Sequence, residues 1–188
     1  AYTPDGLTFD VGNATREALT RGHGLSDEYS NGNGSLMRIL PLAFTAAGPS
    51  DIEAVSSITH AHATSVEACQ LYVDIARRLS KGQQLPEILS GLETSTTYAR
   101  LQTLAELTED DIRSSGYVVD TLEAALWCLL TSTSYPETVL KAVNLGDDTD
   151  TVAAVAGGLA GILYGLEGIP DNWLAQLRHK ELLESCLF

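Results

Sequence analysis

The sequence has little cysteine, and this shortage excludes several classes of protein. Its three cysteines are Cys69, Cys128 and Cys186; they form no CxxC pair and have no zinc-like histidine spacing. A disulfide framework or a zinc module is therefore not indicated. All three lie in apolar, helix-like surroundings, so we expect small buried thiols in a reducing compartment and a cytoplasmic protein.

Positive charge is also scarce. Lys and Arg total 11 against 25 Asp and Glu, which gives a formal net charge of −14. A protein that follows nucleic-acid phosphates needs clustered basic residues, so that kind of partner is not expected. The acidic surplus is compatible with a protein that gathers cations.

Apolar runs long enough to cross a membrane are lacking as well. The run from Val152 to Leu166 has 15 residues and is flanked by Asp150 and Glu167, whereas a membrane span needs about 20. Glycines recur in it at four-residue spacing, at Gly157, Gly161 and Gly165. We therefore predict a central helix of a water-soluble core, with a glycine face that allows close approach of a neighbouring backbone.

Helical periodicity dominates the remaining sequence. Apolar residues between Thr64 and Leu79 form one stripe, and the segment from Val118 to Leu130 is apolar enough for a core helix. Pro136 and Pro170 stand where helices begin. Convincing period-two strands are missing. The prediction is an all-α fold in which residues 1–188 form a single domain.

Candidate chemistry is concentrated first in the acidic stretch GDDTDT. Asp148 and Asp150 flank Thr149, and Thr151 follows directly before the apolar run. Hard cations such as Mg²⁺ prefer oxygen ligands, and this stretch contains enough oxygens for about half of such a shell. Asp and Thr at a helix start are also typical caps, so the residues alone leave both interpretations open.

A second candidate is the turn formed by residues 31–35, which reads NGNGS. Alternating Asn and Gly leave backbone N–H groups accessible, and a helix-like run starts near Ser35. Such a turn is a binding site for phosphate or another anion, or else an ordinary flexible turn. The order of residues does not match a P-loop.

Two further segments contain possible site residues. His60 and His62 would diverge by about 200° on a helix, but in a turn either could face a pocket or serve only structure. In the second segment, Gly116 and Tyr117 follow two serines. The ring of Tyr117 could stack on a base or sugar, or it could belong to the core.

Taken together and in this order, the segments resemble the ADP-ribosylglycohydrolase family, which includes dinitrogenase reductase-activating glycohydrolase. The matching segments are DVGNATREAL, NGNGSLMRILPLA, THAHATSVEAC, SGYVVDTLEAALWCLL and AVNLGDDTDTVAAVAGGLAGILYGLEGIPDNWL. The last segment is the most specific, because it extends far beyond what capping or packing would require.

The resemblance implies an all-α fold, a binuclear Mg²⁺ or Mn²⁺ centre, and hydrolysis of the glycosidic bond between ADP-ribose and its acceptor. The expected substrate is an ADP-ribosylated protein or a small ADP-ribose conjugate. By position, the expected metal ligands are Asp148, Asp150 and Thr151. The expected substrate-binding residues are Asn31, Gly32, Asn33, Gly34, Ser35, His60, Gly116 and Tyr117. Asp147 stands where relatives often have glycine.

The chain departs from the family pattern at its front. The family's second ligand set, Thr-Asp-Asp, and its catalytic acid are not found before the NGNGS turn, and the only methionine is Met37. We therefore expect the catalytic acid upstream of Ala1. The chain would then be a C-terminal portion that lacks N-terminal helices, has about half of the metal site, and binds the missing segment as a partner. A module that binds ADP-ribose without cleaving it, a structural relative and an inactive fragment are the alternatives.

Overall fold

The computed structural model describes residues 11–186, without the side chains of Leu183 and Cys186. In this part the α-helices are α1 (Asn13–Arg21), α2 (Leu36–Ile39), α3 (Pro49–Ser56), α4 (Ala63–Ser80), α5 (Leu85–Ser90), α6 (Val118–Leu130), α7 (Tyr135–Asn144), α8 (Thr149–Tyr164), α9 (Asp171–Gln176) and α10 (Lys180–Cys186). Short 3₁₀ helices cover Leu40–Phe44, Thr96–Glu106, Glu109–Asp111 and Leu166–Gly168. The predicted all-α class is confirmed.

Local sequence signals account for where the main helices begin. At the start of α7 the Ser134 hydroxyl accepts a hydrogen bond from the Glu137 amide at 3.3 Å, and Pro136 occupies the first turn. At the start of α4 the cap is His62, whose Nδ1 accepts from the Thr64 amide at 3.2 Å. The role of His62 is therefore to cap α4.

The hydrophobic core lies where α4, α6 and α8 meet. Helix α8 packs against α6 and α7, and α4 contacts both α6 and α8. Side chains such as Leu122, Leu126 and Leu159 are completely buried. Burying one leucine contributes about 1.5–3 kcal/mol relative to leaving it exposed. This packing fixes the position of the N-terminal ends of α6 and α8, where the candidate site residues lie.

The prediction of a glycine face on α8 was wrong in its details. Gly165 lies beyond the helix, where its φ of 71° ends α8, and a Cβ atom added at Gly161 would meet nothing within 4 Å. The close approach occurs instead at Gly158, where such an atom would lie 2.7 Å from Leu40 and 2.9 Å from the Tyr72 hydroxyl. Side chains rather than a neighbouring backbone therefore occupy the space beside this glycine.

The β-bridges recorded across residues 11–186 are two isolated ones. One joins Leu25 to His60 in parallel orientation, and the other joins Gly32 to Tyr117 in antiparallel orientation. The second bridge draws together two segments that lie far apart in sequence. None of the described helices is both long and apolar enough to cross a membrane.

The predicted burial of the cysteines can be compared with the structure at two positions. Cys69 and Cys128 are free thiols in the core. Burial raises the pKa of both thiols, that of Cys128 to about 12. Both are therefore unreactive structural residues. The side chain of Cys186 lies outside the described residues.

Candidate active site

The NGNGS turn lies beside the loop that precedes α6. Both segments are predicted to bind the substrate, and their proximity is compatible with one shared site. The Asn33 amide donates to the Gly116 carbonyl at 3.0 Å, and the Val118 amide donates to the Asn31 carbonyl at 2.9 Å. These two bonds flank the bridge between Gly32 and Tyr117. The Asn33 N–H is therefore occupied and is not free to bind an anion.

The side chain of Asn33 connects this turn to the start of α8. Its Nδ2 donates to the Asp148 carboxylate at 2.7 Å and to the Thr121 hydroxyl at 2.8 Å. The hydroxyl of Thr121 in turn donates to the Ser115 carbonyl at 3.0 Å. Asn33 is 8% exposed, so these bonds form largely away from water, where a missing partner would be costly. We call Asn33, Thr121 and Asp148 the Asn33 network.

Asp148 is not a helix cap in the usual sense, although it occupies the N-cap position of α8. Its side chain makes no capping hydrogen bond to the first turn; it accepts from Asn33 instead. A Cβ atom added at Gly116 would lie 3.4 Å from the same carboxylate oxygen. The protein thus orients this carboxylate toward the turn and loop, and the capping interpretation does not explain it.

Asp147 differs from Asp148 in its backbone conformation. Its φ is 54°, and Gly146 before it has a φ of 85°. Positive φ favours glycine and is tolerated best by Asn and Asp among other residues. Glycine would adopt this conformation without strain. The Asp147 side chain is exposed.

The other two predicted metal ligands lie in the first turn of α8. Asp150 is exposed, Thr151 is buried, and within residues 11–186 the structure assigns no hydrogen bond to either side chain. The chemistry of these three oxygen donors, two carboxylates and one hydroxyl between positions 148 and 151, fits Mg²⁺ or Mn²⁺. The part of the chain that the structure describes contains no cluster of three or more His, Cys, Asp or Glu side chains able to hold a metal.

The catalytic acid and the second ligand set, Thr-Asp-Asp, are both expected upstream of Ala1. Ala1 itself lies outside the described residues, which begin at residue 11. The position of the acid, the second ligand set and the N-terminal helices therefore stay predictions. Among the residues described here, the site comprises only the turn, the loop before α6, His60 and the start of α8.

Asn31 and Ser35 are held in place by α4. The Ser65 hydroxyl donates to the Asn31 side-chain oxygen at 2.9 Å, and the Asn31 side-chain Nδ2 donates to the Glu28 carbonyl at 2.9 Å. The Ser35 hydroxyl is fully buried and accepts from the Cys69 thiol at 3.5 Å. Both side chains support the shape of the turn.

His60 lies beneath the turn. It is 2% exposed, and its Nδ1 lies 2.7 Å from the Thr59 hydroxyl. A Cβ atom added at Gly34 would lie 2.9 Å from the ring carbon Cε1, so only glycine fits against this ring. Burial, and after it the nearby Arg38 cation, lower the pKa of His60 to about 4. The ring is therefore neutral at physiological pH.

A small cleft opens beside these residues. It has a volume of about 340 Å³ and is lined by Glu28, Tyr29, Asn31, Gly32, Gly116 and Tyr117. Tyr117 is 42% exposed and precedes α6 as its N-cap residue, so it is not a core residue. Partial burial, Asp120 and Glu28 raise the pKa of Tyr117. Its ring is therefore neutral and available to a ligand in the cleft.

A larger cavity lies elsewhere on the molecule. It has a volume of about 750 Å³ and runs along α3 and α4, where its lining includes Ile52, Glu53, Val66 and Arg77. None of the predicted site residues lines it. The candidate site is identified by the predicted residues and the hydrogen bonds that join them, not by cavity size.

Several supporting residues escaped the sequence analysis. Arg38, Thr59, Ser65 and Thr121 each bond directly to a predicted residue or its backbone. Arg38 alone had a recognisable signal, because it is the one charged residue in the otherwise apolar run SLMRILPLAF. The hydroxyl residues had none, since Ser and Thr occur throughout the chain.

Known proteins are similar to this chain in sequence. A family model described as ADP-ribosylglycohydrolase matches residues 2–187. An ADP-ribosylarginine hydrolase Tri1 from Pseudomonas putida is 38% identical over 98% of this chain and 55% of its own length. The ADP-ribosyl-[dinitrogen reductase] glycohydrolase of Rhodospirillum rubrum is 32% identical over 91% of this chain and 61% of its own.

A solved structure shows the same fold. It is described as an ADP-ribosylglycohydrolase-related protein complex and superposes with a TM-score of 0.77 at 32% identity, covering 93% of this chain and 66% of that chain. The present chain spans 55% and 61% of the two curated relatives, so it corresponds to somewhat more than half of their length.

Proposed function

The chain belongs to the ADP-ribosylglycohydrolase family, and we propose that its protein hydrolyses the glycosidic bond between ADP-ribose and an acceptor, with arginine as the acceptor. Arginine is favoured because two relatives, from Pseudomonas putida and Serratia proteamaculans, bear the name ADP-ribosylarginine hydrolase at 38% and 34% identity.

The observation that supports this proposal most strongly is the orientation of Asp148. A carboxylate at a helix N-terminus ordinarily caps the helix, but this one accepts from Asn33, 115 residues away in sequence. A residue used only for helix stability has no need of such a partner. Fixing a carboxylate beside a cleft is the kind of preorganisation that a catalytic or binding site requires.

The residues around the cleft would divide the binding of ADP-ribose between them. The glycines at positions 32 and 34 allow the neutral His60 ring to pack directly against the backbone of the turn. Tyr117 offers an exposed aromatic face for a sugar or base. Asn33 keeps the Asp148 carboxylate turned toward the same place. Together these groups would orient the ribose so that water can reach its C1″ atom as the bond to the acceptor breaks.

Asp148, Asp150 and Thr151 are the residues that would hold Mg²⁺ or Mn²⁺ as part of a site for two ions. When bound, such ions supply positive charge that polarises oxygen atoms and lowers the pKa of a coordinated water. The protein's own contribution is to fix the donor oxygens. Asn33 does this for Asp148, and helix α8 does it for the other two.

The decisive experiment measures release of ADP-ribose by chromatography. Protein expressed from its complete reading frame is incubated with an arginine-ADP-ribosylated peptide in Mg²⁺ or Mn²⁺, and separately in EDTA. We expect release with metal, little release with EDTA, and a loss of at least a hundredfold in the Asp148→Asn variant.

A matched peptide carrying ADP-ribose on serine tests the acceptor. Faster cleavage of the arginine conjugate supports the assignment, and faster cleavage of the serine conjugate overturns it. If the wild-type protein binds ADP-ribose but releases none from either peptide, the catalytic proposal is wrong and the protein is a binding module.

A further inference from the structure

Arg38 is a half-buried cation that contacts neutral oxygens. Its guanidinium donates to the carbonyls of Gly34 (2.8 Å), Val55 (3.0 Å) and Ser56 (3.2 Å) and to the Thr59 hydroxyl (2.8 Å). The ion pairs found among the described residues do not include it. Arginine stays protonated in proteins and has no acceptor atom. Its contact with Thr59 therefore has one possible direction, from guanidinium to hydroxyl oxygen.

The Thr59 hydroxyl then has its hydrogen left to donate. Its second neighbour is Nδ1 of His60 at 2.7 Å, and Thr59 is 4% exposed. If the ring donated from Nδ1 instead, the hydroxyl hydrogen would lack an acceptor among the described residues in a place nearly closed to water. A buried donor without a partner costs about 1–3 kcal/mol. The hydroxyl accordingly donates to Nδ1, and the ring hydrogen resides on Nε2.

The Nε2 atom faces the turn. Cβ atoms added at Gly32 and at Gly34 would each lie 3.5 Å from Nε2. The histidine backbone is fixed as well, since the Ser56 hydroxyl donates to the His60 carbonyl at 2.9 Å and the His60 amide donates to the Ser56 carbonyl at 2.9 Å. The ring can therefore neither turn over nor withdraw without breaking bonds to Thr59 or crowding Gly34.

We propose that Arg38 and Thr59 are positioning residues, which hold His60 in the Nε2–H tautomer and direct that N–H to the turn at Gly32–Gly34 as a hydrogen-bond donor for the ligand. The consequence for ADP-ribose, whose phosphate and ribose oxygens are acceptors, rests on the proposed function. The tautomer itself follows from the geometry of the chain and does not depend on the reaction.

The first test needs no substitution. Long-range proton–nitrogen NMR spectra of the ¹⁵N-labelled full-length protein at neutral pH report which ring nitrogen carries the hydrogen, and the His60→Gln variant identifies the His60 signal. We expect a neutral ring with hydrogen on Nε2. Hydrogen on Nδ1 in the wild-type protein would overturn the inference, whatever the enzyme's activity.

The second test removes the hydroxyl while keeping the shape. In Thr59→Val the preference for Nε2–H should be lost and the dissociation constant for ADP-ribose, measured by calorimetry, should rise about tenfold. Thr59→Ser restores the hydroxyl, so it should regain the tautomer and most of the affinity. Thr138→Val is the matched control, because Thr138 is fully buried in α7 and its hydroxyl donates to the Ser134 carbonyl.

The outcomes separate the two proposals. An unchanged tautomer in folded Thr59→Val contradicts the positioning role. Loss of the tautomer with unchanged ADP-ribose affinity contradicts the role of Nε2–H as a ligand donor. If wild-type protein shows Nε2–H but binds no ADP-ribose, the proposed function fails while the assignment of the tautomer stands. If Thr59→Val is unfolded by circular dichroism, the wild-type spectrum decides the tautomer.

Discussion

The buried turn at residues 31–35 and the acidic turn at residues 147–151 meet at one site, but the protein treats them differently. Asn31, Asn33 and Ser35 are each less than 10% exposed and have hydrogen-bond partners on other segments. In the acidic turn Asp147 and Asp150 are exposed. Only Asp148 belongs to both regions, through its bond to Asn33.

The difference teaches what each region is for. A buried polar side chain without a partner costs free energy, so the turn must satisfy its own groups before any ligand arrives. Exposed carboxylates are hydrated by water and can exchange that water for a ligand or a cation. We therefore expect changes in the buried turn to reduce stability and binding together, and changes at the exposed carboxylates of the acidic turn to affect binding far more than stability.

The largest effect on stability is expected from Asn33→Ala. The substitution removes two buried hydrogen bonds and leaves Thr121 and Asp148 without their partner. Unfolding in urea should show a loss of about 2–3 kcal/mol, accompanied by weaker ADP-ribose binding. Asn144→Ala, at the exposed end of α7, is the control and should change stability little. Equal stability of the two variants would refute the idea that the Asn33 network supports the fold.

The second effect compares two glycines. A Cβ atom at Gly34 would lie 2.9 Å from the His60 ring, whereas one at Gly161 in α8 would meet nothing within 4 Å. Gly34→Ala should therefore lower the free energy of unfolding by about 1–2 kcal/mol through crowding. Gly161→Ala should raise it by about 0.5–1 kcal/mol, because alanine favours helix. Thermal unfolding of both variants checks these opposite signs, and a Gly34→Ala variant at least as stable as the wild type would contradict the close packing of His60.

These glycines show why the helices were easier to predict from the sequence than the contacts between them. Helices α4, α6, α7 and α8 were predictable because periodicity, proline and cap residues act over a few positions. The neighbour of each glycine is set by tertiary structure. Regular spacing on α8 suggested a close backbone contact, yet the crowded position is Gly158 and the crowding atoms belong to Leu40 and Tyr72.

The same distinction between local sequence signals and tertiary contacts applies to the candidate site. The turn, the loop and the acidic stretch were selected as candidates from their residue types, and the resemblance to a family then suggested their roles. The bond from Asn33 to Asp148 joins positions 115 apart, and one sequence contains no signal for such a pairing. The positive φ of Asp147 was equally hidden, because Asp occurs in many conformations. Thr59 contacts Arg38 and His60 in the buried interior, and no sequence motif marks it.

A third prediction concerns pH and the buried histidine. The pKa of His60 is about 4 in the folded protein, below the usual value of about 6.5. Between these values the unfolded chain binds more protons, so His60's contribution to stability is complete above about pH 6.5 and is lost as pH falls toward 4. We expect this contribution to be on the order of 2 kcal/mol.

The measurement is the free energy of unfolding against pH for wild type and His60→Gln. The wild-type curve should fall more steeply between pH 6.5 and 4. His23→Gln is the control, because His23 is exposed, and it should follow the wild-type curve. Parallel curves for wild type and His60→Gln would show that the ring is not held neutral by its surroundings.

The smallest effect on stability is expected from Asp150→Asn in the acidic turn. This variant should lose metal affinity with little loss of stability, unlike variants of the buried turn. Asp150 is exposed and its side chain bonds to no residue in the described part of the chain, so it contributes through its charge at the start of α8. That contribution is worth about 0.3–1 kcal/mol. Affinity for Mn²⁺ should nevertheless fall by about tenfold or more, because one of the proposed carboxylate ligands is lost.

Calorimetric titration of the full-length variant with Mn²⁺, together with urea unfolding in EDTA, separates the two effects. Asp171→Asn is the matched control: Asp171 is also an exposed acid in the first turn of a helix, α9. Both variants lose the same favourable charge near a helix N-terminus, so their stabilities without metal should change alike. Only Asp150→Asn should lose Mn²⁺ affinity. Unchanged affinity in Asp150→Asn would remove Asp150 from the metal site, and a loss of stability as large as that of Asn33→Ala would erase the distinction between the two turns.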